Sequence, residues 1–140
     1  MRQVRRLVCA ALIALVLYPL ILLGVVYREV WTSGLPGGGN GPADAYRHTL
    51  ASALVAYTLS PRAVDWVTWW TEERHQPMDT TNLMDAHNNR LGAMIGNRSH
   101  SPSDVLKRVK TAVELGQQDA PSADCVTWLP PRMWQNNRFF

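Results

Sequence analysis

Apolar residues form one unbroken run near the start of the chain. Between Arg6 and Arg28 the sequence reads LVCAALIALVLYPLILLGVVY, which is 21 residues without a charge. One helix of that length crosses the roughly 30 Å hydrocarbon core of a bilayer. The basic residues in front of the run, Arg2, Arg5 and Arg6, put the N-terminus in the cytoplasm by the positive-inside rule. The pattern predicts that residues 1–31 are a cytoplasmic N-terminus and a transmembrane anchor.

A cleaved signal peptide begins with the same charged and apolar pattern. Its apolar region is usually shorter, about 7–15 residues, and ends at small residues. The run here is longer, although TSG at residues 32–34 leaves a cleavage site open. The length favours an uncleaved anchor, and under both interpretations the rest of the chain is exported. We therefore predict a single-pass protein of a bacterial inner membrane, with its domain in the periplasm and the membrane as a partner.

Glycine and proline dominate the segment that follows the anchor. Residues 32–43 read TSGLPGGGNGPA, which offers few side chains for packing and leaves the backbone much freedom. We predict that this segment is a linker, which lets the following domain stand away from the bilayer.

Apolar residues at helical spacing return after the linker. Ser60 and Pro61 are a typical N-cap and first helical residue, and Gly96 and Gly116 are typical helix ends. The apolar stripes predict four helices, at residues 44–59, 62–74, 80–96 and 101–116. The fold class is therefore all-α, with residues 44–116 forming a small bundle of about four helices.

The last segment, residues 117–140, is rich in proline and tryptophan and has no clear period. No stretch of it alternates in the way that a half-buried strand requires. We expect an irregular tail whose aromatic side chains pack on the helices or on the membrane surface. These side chains are Trp128, Trp134, Phe139 and Phe140.

The net charge of +3 comes from the residues that flank the apolar run. From residue 35 onward the chain has ten basic and ten acidic side chains, so the exported part is close to neutral. A nucleic-acid-binding protein needs a basic surface that attracts phosphates. The composition therefore argues against nucleic acid as a partner.

Two short polar clusters interrupt the apolar stripes of the first and third predicted helices of the domain. In DAYRH, Asp44 and His48 are four residues apart and share a helix face with Arg47. In MDAHNN, Asp85 shares a face with the two asparagines. The same face of the third helix carries Gly92 and Gly96, which let another backbone come close. We predict that these two helices pack side by side and bring both clusters into one small volume.

Polar groups in such a volume must be satisfied by one another, by a metal ion or by a ligand, because burying them unpaired costs free energy. Three interpretations stay open. In the first, the residues form a structural network. Arg47 then pairs with Asp85, the two asparagines bond to backbone groups, and His48 lies in the core.

The second interpretation is a site for a divalent metal such as zinc. His48, Asp85 and His87 have side chains that bind zinc. Glu73 or His75 would be a further ligand or would support the others. A catalytic zinc takes three protein ligands and one water. Asp85 and His87 are only two residues apart, however, so on a helix their side chains diverge.

The third interpretation is acid–base catalysis without a metal. His48, oriented by Asp44 or Asp85, would transfer a proton near neutral pH. Arg47 and Asn88 would stabilise a developing oxyanion. The full set of candidate catalytic residues is His48, Arg47, Asp44, Glu73, Asn88 and Asn89.

Together the two clusters resemble the motifs of an uncharacterised bacterial domain family, several members of which are exported or end secreted polymorphic toxins. Its members read D-A-[FY]-R-H, then an acidic H-E element, then M-D-x-H-N-N-x-x-G. Residues 42–96 are similar to this order, although Thr71 replaces the family's His before Glu72. The resemblance implies a helical domain with a polar site built from both motifs, and it implies no established reaction. The matching residues are Asp44, Arg47, His48, Asp85, His87, Asn88 and Asn89, with Glu72 or Glu73 as the central acid.

Location and side-chain chemistry together favour hydrolysis of a cell-envelope component, such as peptidoglycan, a lipid or a peptide. The alternative is a non-catalytic envelope module, in which the same residues form a structural network. The Trp-rich second helix and the aromatic tail would then contact an envelope protein partner.

Overall fold

A computed structural model describes residues 1–68, 79–119 and 125–135. Most of these residues are helical, and the predicted all-α fold with a long apolar N-terminal helix is confirmed. The second half of the predicted helix at residues 62–74 lies outside the described residues. The helices are α1 (Arg2–Ser33), α2 (Pro42–Thr58), α3 (Pro61–Thr68), α4 (Thr80–Asn97) and α5 (Pro102–Glu114).

Helices α2 and α4 make the most extensive contact between elements of the described chain. Two glycines on α4 allow the close approach. A Cβ built at Gly92 would lie 2.3 Å from the carbonyl oxygen of Thr49, and one at Gly96 would lie 2.1 Å from that of Ala53. No real Cβ tolerates such a distance, so only glycine fits at either position. The predicted packing of these two helices through the glycine face is confirmed.

Side-chain caps begin three of the helices. Asp79 accepts a hydrogen bond from the N–H of Asn82 at 2.9 Å, where α4 starts. Ser101 accepts one from the N–H of Asp104 at 3.1 Å, where α5 starts. Ser60, the predicted cap of α3, accepts one at 3.3 Å from the backbone three residues later. Caps of this kind stabilise a helix by about 1 kcal/mol.

The C-terminal half of α1 packs along α2. Val26 is buried in the same apolar cluster as Leu50, and the hydroxyl groups of Tyr18 and Thr58 are 2.6 Å apart. Elsewhere α1 is largely exposed, and its length and composition are sufficient to cross a membrane. The domain therefore touches its apolar helix instead of standing away from it, because α1 covers part of the apolar face of α2.

The connecting segment, residues 34–41, is packed against the tail. Gly39 and Gln135 form an antiparallel bridge, with N–H to carbonyl distances of 3.1 and 2.9 Å. The ring of Trp134 lies over Gly37, where a built Cβ would be 3.1 Å from it. Because of these contacts the segment is packed against the tail, whereas its composition alone predicts a free linker.

Two short strands connect the end of α5 to the tail. β1 (Gln117–Gln118) and β2 (Thr127–Trp128) pair in parallel. The sequence did not predict them, because two residues are too few to show an alternating pattern. Trp128 packs against the apolar cluster, as expected of the tail aromatics, whereas Phe139 and Phe140 lie outside the described residues.

Candidate metal centre

Two carboxylates and one imidazole meet where the first two turns of α2 lie beside α4. Nε2 of His48 is 3.4 Å from Oδ1 of Asp44 and 3.6 Å from Oδ1 of Asp85. One donor atom from each residue lies within 4.8 Å of the other two. The packing of α2 on α4 thus joins two residues of the first motif to one of the second. We call Asp44, His48 and Asp85 the charged cluster.

Asp44 is held by its neighbours on both oxygens. The N–H of Asn40 donates to Oδ2 at 2.6 Å, and the guanidinium of Arg47 donates to Oδ1. Asn40 is in the left-handed region, with φ of 63°, which asparagine adopts more readily than most residues. Arg47 also donates to the carbonyl oxygen of Gly38 at 3.3 Å. The connecting segment therefore positions the carboxylate before any ligand arrives.

Charges within the cluster shift the pKa of two of its members. Burial alone would lower the pKa of His48, but its hydrogen bond to Asp44 and the negative charge of Asp85 outweigh burial and raise it. Burial alone would raise the pKa of Asp44, but His48 and Arg47 outweigh it and lower that pKa. The two carboxylates thus favour a positive charge at the centre of the cluster.

The donor set also fits a small divalent cation. Zinc binds histidine nitrogen and carboxylate oxygen at 2.0–2.2 Å, so two donors of a tetrahedral site are about 3.4 Å apart. The separations around His48, 3.4 and 3.6 Å, are close to that spacing. The side chain of His48 is 21% exposed, against 4% for Asp44 and 11% for Asp85, so the cluster is largely buried and His48 is its most accessible member. Three protein ligands are also the number that a catalytic zinc site uses.

Comparison with known proteins identifies the family of this chain, and the function of that family is not known. A family model described as a domain of unknown function, DUF6973, matches residues 32–117, which is more than half of the chain. The protein belongs to the DUF6973 family. The matched range contains both polar motifs. No curated protein and no solved structure matches the chain.

In this DUF6973 domain the two asparagines of the second motif bond outside the charged cluster. Asn88 donates to the carbonyl oxygen of Thr127 at 2.8 Å and accepts from its N–H at 3.0 Å. Oδ1 of Asn89 accepts from the hydroxyl of Ser52 at 2.8 Å. We call these four residues the amide network. Its contacts resemble the predicted structural network, in which the asparagines bond to backbone groups, more than an oxyanion site.

His87 of the DUF6973 domain lies outside the charged cluster. Its Nε2 is 2.8 Å from the carbonyl oxygen of Cys125. Residues two apart on a helix differ by about 200° in direction, so His87 points to the tail while Asp85 points to α2. Asp44 occupies the third ligand position that the sequence prediction gave to His87. The other residues named as ligands or acids, Glu72, Glu73 and His75, lie outside the described residues.

Arg47 has a different partner from the one predicted in the structural-network interpretation. The sequence interpretation paired it with Asp85, whereas the structure pairs it with Asp44, three residues earlier on the same helix. Sequence reasoning also missed Asn40 and Thr127 as partners. The Asn-Gly pair that begins at Asn40 is a usable turn signal, but nothing local marks Thr127 as the partner of a side chain 39 residues away.

Proposed function

We propose that this protein is a membrane-anchored, metal-dependent hydrolase of a cell-envelope component, with its domain in the periplasm. The observation that carries the proposal is the charged cluster, whose three donor atoms lie within 4.8 Å of one another. Zinc is the expected ion, because one imidazole and two carboxylates belong to its usual ligands.

Residues of the chain would hold the ion and orient the substrate. Asp44, His48 and Asp85 would be the ligands, and zinc bound there would supply a nucleophile by lowering the pKa of a coordinated water. Arg47 connects the cluster to a cavity of about 610 Å³ between α1, the connecting segment and α2. Its positive charge would stabilise negative charge that develops on a substrate in that cavity.

Packing of α1 supports a retained anchor over a cleaved signal peptide. Val26 is 1% exposed and lies in one apolar cluster with Tyr46 and Leu50. Cleavage near residues 32–34 would uncover this cluster, at a cost of about 25 cal/mol for each Å² of apolar surface. With α1 retained, the basic N-terminus favours a cytoplasmic start and a periplasmic domain.

The test uses the full-length protein in proteoliposomes with three substrates: peptidoglycan fragments, phospholipid and a peptide. Products are identified by mass spectrometry, with and without zinc. His48→Ala and His87→Ala form a matched pair, because both remove a half-buried imidazole but only His48 belongs to the cluster. We expect zinc-dependent product from the wild type and from His87→Ala, and none from His48→Ala. Equal activity in His48→Ala, or no product from any substrate, would overturn the proposal.

A non-catalytic envelope module is the second candidate. The contact that favours it is the ion pair between Arg47 and Asp44, with His48 between two carboxylates, which satisfies charges without a ligand. In such a network Asp85→Asn would destabilise the metal-free protein, because it breaks a buried charge pair. A site kept for function would instead melt at an equal or higher temperature after that substitution.

A further inference from the structure

The half of α1 that contacts the domain keeps one apolar face uncovered. Val26 faces the domain and is buried, whereas the residues on the other side of the helix stay exposed. The pattern is that of a helix with protein on one side and an apolar medium on the other. The exposed apolar residues of this half include Leu20, Ile21, Leu23 and Val25.

A second apolar patch lies where α2 gives way to α3. Leu59, Trp66 and Val67 are 61%, 65% and 48% exposed, and we call them the α2–α3 corner. Their closeness in the chain makes them a candidate interaction surface, since exposed apolar patches often mark contacts with a protein or a membrane.

The hydrogen bond between Tyr18 and Thr58 brings the corner next to α1. Thr58 directly precedes Leu59, and Tyr18 lies inside the uncharged run that ends at Tyr27. Leu59, the α2 end of the corner, is therefore beside the apolar helix, at the level of the middle of its uncharged run. If α1 spans a membrane, the lipid around α1 is the apolar medium closest to the corner.

Charged residues on α3 limit how deep the corner can lie. Arg62 and Asp65 are exposed, and Arg62 is one turn before Trp66 on the same face. Charges are costly at the bilayer centre, while tryptophan with arginine is typical of the membrane–water interface. If α1 stood upright with its whole run in hydrocarbon, Tyr18 would lie about 14 Å below the end of the run at 1.5 Å per residue. A tilt of about 40°, the upper end of the usual range, reduces this depth to about 10 Å. If the domain lies on the upper side of the tilted α1, the sideways offset between the two packed helices raises the corner further toward the interface.

We propose that the α2–α3 corner is a lipid-contact surface, resting in the interface of the same bilayer that α1 enters. The domain then lies against the membrane rather than standing off it. The inference rests on the membrane anchoring in the proposed function, but it does not depend on metal binding or hydrolysis.

Spin labels on the full-length protein in lipid vesicles test the proposal. In a Cys9→Ala, Cys125→Ala background, single cysteines are introduced by Leu59→Cys and Trp66→Cys. Leu115→Cys is the matched control, since Leu115 is an equally exposed leucine, 68%, at the end of α5. Ile13→Cys reports on α1 itself. Electron paramagnetic resonance then compares collisions of each label with oxygen, which partitions into lipid, and with a water-soluble nickel chelate.

We expect labels at residues 59 and 66 to be more accessible to oxygen than to the chelate, and the Leu115→Cys label to show the reverse. Corner labels as water-accessible as the control would overturn the inference, and so would a control label as lipid-accessible as the corner. The Ile13→Cys label separates the two proposals. If it is in lipid while the corner is in water, the anchor survives and only the inference fails; if it is also in water, the anchoring fails as well.

Discussion

The charged cluster and the amide network lie along the same packed pair of helices, yet they differ in how their polar groups are satisfied. In the amide network, neutral donors meet neutral acceptors at 2.8–3.0 Å, and Asn88 is fully buried. In the charged cluster, His48 sits between two carboxylates at 3.4 and 3.6 Å and stays partly exposed. The first arrangement is complete in itself, whereas the donor spacing of the second also suits a cation. Residues that form one sequence motif therefore divide between a structural and a candidate chemical role.

The largest expected effect comes from Gly96→Ala, which disrupts the packing of α4 on α2. Both the charged cluster and the amide network depend on that packing. The new Cβ would meet the backbone carbonyl of Ala53, which cannot move aside as a side chain does. We expect the free energy of unfolding to fall by more than about 3 kcal/mol, beyond the usual cost of overpacking. Chemical denaturation measures it. Gly24→Ala is the control, because a Cβ there has open space, and it should not destabilise the protein.

Asn88→Ala attacks the amide network alone. The substitution removes the hydrogen-bond partners of the buried N–H and carbonyl groups of Thr127. We therefore expect the free energy of unfolding, measured by chemical denaturation, to fall by about 2–3 kcal/mol. Asn97→Ala, at the exposed end of α4, should change stability by less than about 0.5 kcal/mol. If Asn88→Ala were as mild as this control, the amide network would not have the structural role that we assign to it.

His48→Ala attacks the charged cluster alone. In metal-free protein we expect a loss of about 1 kcal/mol, below that of Asn88→Ala, because Asn40 and Arg47 still bond Asp44 after the imidazole is removed. Zinc should raise the melting temperature of the wild type and of His87→Ala but not that of His48→Ala, because a ligand stabilises the state that binds it. A collapse of metal-free His48→Ala, comparable to that of Asn88→Ala, would make both regions structural and end the contrast.

Asp104→Asn should have the smallest effect on stability. Asp104 lies outside both the charged cluster and the amide network, so it serves as a reference. The N–H of His100 and the guanidinium of Arg108 hold the pKa of this partly exposed carboxyl below its usual value. Its contribution to stability is therefore present above the unfolded-state pKa and is lost as the pH falls through the folded-state pKa. Denaturation at a series of acidic pH values should show a slightly weaker acid dependence in Asp104→Asn. An unchanged pH dependence would contradict this assignment.

Helices and their boundaries follow closely from local sequence signals. α5 begins at Pro102, one residue inside the predicted range of 101–116, and the glycine face of α4 packs on α2 as its spacing predicts. Local signals suffice there because caps and stripes act within one or two turns.

Sequence reasoning identified only part of the candidate site, because the remainder depends on contacts distant in sequence. Asp44 and His48 are four residues apart, so their pairing is readable from the chain. The direction of His87 depends on where Cys125 lies in the tail, and the asparagine contacts depend on Thr127 and Ser52. No periodicity encodes those positions. The same holds for the packing of α1, since an apolar run does not reveal which of its faces a domain will cover.

Metal content measured by elemental analysis tests the account most directly. The full-length protein is purified in detergent as the wild type, His48→Ala and His87→Ala, loaded with zinc and freed of unbound metal. The account predicts one equivalent of zinc per chain in the wild type and in His87→Ala, and none in His48→Ala. A wild type without zinc, or a His48→Ala variant that keeps a full equivalent, would contradict it.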